Sequence, residues 1–117
     1  MSLNTLVDYI SNSQITSELI KRISKNNELN IVGSSRYAKS IILDSIAKKE
    51  EKNILLICPN VEIAYKWIGY FESINDKAVL YYPPTEHLPY SSINKSKEIE
   101  FSQLTVCLLY TSDAADE

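Results

Sequence analysis

The chain has 117 residues, 44% of them apolar, and 12 Lys plus Arg stand against 15 Asp plus Glu for a formal net charge of −3. That balance suits one modest globular core and excludes both a disordered chain and a strongly basic nucleic-acid binder. A secretory signal, a run of about 18 apolar residues and a disulfide or zinc framework are excluded as well, since the start is Met1-Ser2-Leu3-Asn4-Thr5 and only Cys58 and Cys107 are present.

In chain order, Leu3, Leu6, Val7 and Ile10 follow helical spacing, and Ile15, Leu19 and Ile23 do so after the polar break Ser11-Asn12-Ser13. Two short amphipathic helices are therefore expected in residues 1–26. Leu29-Asn30-Ile31-Val32 reads as a brief strand, closed by Gly33 and the polar turn Ser34-Ser35-Arg36. The stripe Ala38, Ile41, Ile42, Ser45 and Ile46 predicts a helix that fades into Lys48-Lys49-Glu50-Glu51-Lys52, read as a solvated loop. Ile54-Leu55-Leu56-Ile57-Cys58 has the continuous apolar character of a strand covered on both faces in a parallel sheet, and Pro59 stops it. Asn60 is a natural N-cap, and Ala64, Trp67, Ile68 and Phe71 mark the buried side of the helix that follows. Ala78-Val79-Leu80-Tyr81 reads as a third strand, and a proline-punctuated loop over residues 82–94 leads to a last helical pattern around Ile99.

The order β-α-β-α-β predicts an α/β fold, a partial parallel three-layer sheet over residues 27–106 preceded by the two short helices. Residues 1–106 are rich in Ile, Asn, Lys, Ser and Tyr, whose codons are AT-rich. The tail Cys107-Leu108-Leu109-Tyr110-Thr111-Ser112-Asp113-Ala114-Ala115-Asp116-Glu117 breaks that pattern and, back-translated, resembles a sequencing adapter. It is expected to be non-native and disordered. Setting aside Asp113, Asp116 and Glu117 lowers the acidic count from 15 to 12 and leaves the remainder formally neutral.

The sharpest chemical signal is Gly33-Ser34-Ser35-Arg36-Tyr37-Ala38-Lys39-Ser40, between a predicted strand and a predicted helix. A phosphate loop needs Gly-x-x-x-x-Gly-Lys-Ser/Thr, because backbone N–H groups wrap the phosphates, the lysine reaches their outer oxygens and the hydroxyl holds magnesium. Here Ala38 replaces the second glycine, and no apolar strand ending in Asp or Glu follows to complete the metal site. Gly33, Ala38, Lys39 and Ser40 therefore read as a degenerate phosphate loop. Tyr81, Tyr82 and Tyr90 flank the prolines and could stack on unpaired bases, although packing of the loop is the favoured reading. His87 has no partner at a catalytic spacing, Cys58 reads as a small buried thiol, and Trp67 reads as core. No catalytic residue and no metal ligand is assigned.

The stretch Thr85-Glu86-His87-Leu88-Pro89-Tyr90-Ser91-Ser92, followed by Lys97-Glu98-Ile99, resembles the Glu-x-Leu-Pro-Tyr segment of the transcription-repair coupling factor family. Glu86, Leu88, Pro89, Tyr90 and Ile99 match that pattern, whereas Thr85 and Asn94-Lys95 depart from it. The upstream order of helices, apolar runs and decayed phosphate loop agrees with the family too. The resemblance implies a parent that is an ATP-driven DNA translocase using ATP and magnesium, with UvrA, RNA polymerase and double-stranded DNA as partners and N-terminal domains similar to those of UvrB. It also implies that this segment is a scaffold for repair-factor docking and autoinhibition, with no cofactor of its own. Two other readings stay open: a small free-standing P-loop nucleotide-binding enzyme, resting on Gly33, Lys39 and Ser40, and a single-strand binder using the tyrosines.

Overall fold

The computed structural model describes residues 2–74, 79–84 and 97–115, with side chains as far as Tyr110. Packing divides the chain into two units, Met1–Lys77 and Ala78–Glu117. The first contains α1 (Leu3–Ser11), α2 (Gln14–Asn26), α3 (Arg36–Glu50) and α4 (Val61–Ile74), and the second contains α5 (Lys97–Ala115).

Local sequence explains where the helices begin and end. Ser2 Oγ and Ser13 Oγ each accept an N–H three residues on, from Thr5 and Thr16 at 3.3 Å, and so satisfy a donor that the first helical turn leaves over. Asn60 does the same for α4, with Oδ1 2.9 Å from Ile63 N. Asn27 and Glu51 close α2 and α3 in the left-handed region, at φ 55° and 51°. The run 48–52, expected as a loop, lies mostly inside α3. Lys48 and Lys49 complement the negative end of the helix dipole there, Lys48 pairs with Asp44 at 2.7 Å, and Lys49 Nζ donates to the Ser11 carbonyl.

α3 is the hub of the first unit and packs against α1, α2 and α4. Its Ile41, 1% exposed, is the one fully buried apolar side chain among the described residues. Around it the buried groups are polar: Thr16, Ser40, Asp44 and Ser45. The three hydroxyls each donate to a backbone carbonyl, and the Asp44 carboxylate is met by the Lys48 ion pair. Thr16 Oγ1 donates to the Ile10 carbonyl at 2.7 Å, and Ser45 Oγ donates to the Ile41 carbonyl at 2.7 Å. Since Ser45 has then used its only proton, Ser11 Oγ is the donor in their 2.7 Å contact, which ties the end of α1 to the middle of α3. Aromatic edges close the other side. Tyr37 of α3 meets Tyr70 of α4 edge-on at 5.6 Å, and Trp67 stacks on Phe71 at 6.0 Å.

The expected α/β sheet is absent: the described residues are helical or irregular and include no strand. Residues 29–32, 54–58 and 79–81 lie outside the helices, as read, but none forms a ladder. Along the second of these runs Ile54, Leu55, Leu56 and Ile57 are 39%, 88%, 36% and 88% exposed, an alternation with the period of two of an extended chain. Apolar character identifies a segment able to line a sheet, but a strand exists only when a neighbour's N–H and C=O groups line up with its own. No such neighbour is in register here, so the three-layer reading fails. In the second unit, Gln103 of α5 is buried and its Nε2 donates to the Pro83 carbonyl at 2.8 Å, holding residues 79–84 to the helix. α5 passes through position 107 without a break and ends at Ala115, so residues 107–115 are helical where disorder was expected, and the last two residues lie outside the described residues.

Candidate functional site

The turn that joins residues 29–32 to α3 carries the residues with the strongest chemical signal. Gly33 adopts φ +85°, a conformation that side chains disfavour, although a Cβ there would meet nothing within 4 Å. The glycine is thus needed for backbone freedom and not for close approach of a neighbour. Two residues on, Ser35 is the N-cap of α3 in extended conformation, φ −66° and ψ 157°.

The cap decides what the turn can do. Ser35 Oγ accepts from Ala38 N at 3.2 Å, and Ser35 O accepts from Lys39 N at 3.0 Å. The backbone donors at Ala38 and Lys39, which a phosphate loop would direct at an anion, are therefore committed to the first helical turn. Ser40 is fully buried, and its Oγ donates to the Tyr37 carbonyl at 2.6 Å. A hydroxyl placed so cannot reach a metal ion without leaving its bond and its burial. Tyr37, a variable position in a phosphate loop, is here held against Tyr70. As arranged, these residues do not fit a magnesium nucleotide: helix α3 starts too early, at Arg36, and absorbs the groups that would bind one.

The structure brings Gly33, Ala38, Lys39 and Ser40 together only as nearby positions of one turn and the helix that follows it. Among the described residues no three His, Cys, Asp or Glu side chains gather as a metal site would require. Comparison with protein-family models, curated proteins and solved structures gave no significant match.

Of the remaining sequence-derived positions, Glu86, His87, Leu88, Pro89 and Tyr90 lie outside the described residues. Tyr81 is half-buried and Tyr82 is exposed, while Ile99 is half-buried on α5. Cys58, expected as a buried thiol, is half-buried and free; Cys107 is exposed. Trp67 packs on its own helix and is half-buried. Among the described residues no helix is long and apolar enough to cross a membrane. Sequence reasoning missed Ser35, since both serines were read only as part of the polar turn after Gly33. The available signal was the pattern Ser-x-x-Ala ahead of an apolar stripe, which marks a capped helix start as readily as a loop.

Proposed function

We propose that the chain is a non-catalytic scaffold segment from the N-terminal part of a bacterial transcription-repair coupling factor, working in the cytoplasm. In this reading it supports the docking of repair factors and helps hold the parent translocase inactive. The parent's ATP, magnesium, UvrA, RNA polymerase and double-stranded DNA are engaged by regions other than this turn. The observation that carries the non-catalytic half is the commitment of Ala38 N and Lys39 N to Ser35, together with the burial of Ser40. The same geometry counts against a free-standing P-loop enzyme. The coupling-factor half is supported by the order of motifs along the chain, ending in Glu86-His87-Leu88-Pro89-Tyr90 and Ile99.

Two experiments test the halves separately. The genomic reading frame beyond codon 106 should continue into helicase motifs; a stop codon there rules out the coupling factor. For the chemistry, neither the protein nor its Ala38→Gly variant should turn over ATP with magnesium, because restoring the glycine frees neither the capped amides nor a metal-binding acid. Turnover by Ala38→Gly that disappears on adding Lys39→Ala would replace the scaffold with an enzyme.

A further inference from the structure

We draw no further inference here: the strongest candidate, the open apolar side of residues 54–58 that Leu55 and Ile57 present, carries nothing because no feature of the structure shows what covers it.

Discussion

Ser35 does more than any other single side chain to define the turn before α3. Its hydroxyl takes one first-turn donor and its carbonyl takes the next, so the helix begins at Arg36 and not further along the motif. Ser35→Ala should remove one capping bond and cost about 1 kcal/mol, read as a lower urea midpoint at unchanged slope. Ser35→Asp should retain most of the stability, since a carboxylate both caps and complements the positive end of the dipole. Equal midpoints for the alanine variant and the parent would show that the cap contributes nothing. Ser40 and Ser45 make a related point about buried hydroxyls. Each returns its proton to a carbonyl of its own helix, at 2.6 and 2.7 Å, which satisfies the donor within the helix and leaves the Ser45 oxygen to accept from Ser11.

At the scale of the element, α3 organises the first unit because three other helices lean on it. Its buried side is wider than its apolar stripe: Ile41 and Ser45 were legible as inward from their spacing, whereas Ser40 and Asp44 were not. Ser40 was read only as a phosphate-loop hydroxyl, and Asp44 stood outside the apolar stripe. Local pairing lets both sit inside, through Tyr37 O for Ser40 and Lys48 for Asp44. With Ile41 the one fully buried apolar residue among the described residues, the unit should depend heavily on it. Ile41→Ala should cost about 2–5 kcal/mol from lost transfer and the cavity left behind, a large part of the roughly 5–15 kcal/mol that holds a domain together. Loss of helical circular dichroism at room temperature, or a steep fall in melting temperature, is the expected reading. A loss under about 1 kcal/mol would mean that polar contacts, Ser11 to Ser45 and Thr16 to the Ile10 carbonyl, carry the packing instead.

For the molecule as a whole, the distribution of apolar surface is the dominant physical fact. Val32, Leu55 and Ile57 are each at least 80% exposed, in segments that read as core strands. An extended, uncharged, apolar run exposed in this way is a general liability for association. Leu55→Lys combined with Ile57→Lys should raise the monomer fraction in light scattering while leaving helical content intact, because neither side chain is packed against a helix to any great extent. If the double variant unfolds, or associates as before, the run is not the source of association and its exposure has a different consequence.

The helices were largely determined by sequence on its own. Apolar residues at three- and four-residue intervals, serines and an asparagine at the starts, and Gly33 at a turn are local signals, and each acts within a few residues of where it stands. Whether residues 29–32, 54–58 and 79–81 become strands is a different kind of question. Pairing joins segments far apart in the chain, so it depends on register and neighbours that no local pattern encodes. The same division runs through the candidate site. Gly33, Lys39 and Ser40 could be read off as phosphate-loop residues from spacing, but only the tertiary structure showed which N–H groups Ser35 takes and that Ser40 is enclosed, since both follow from where α3 begins and what packs against it.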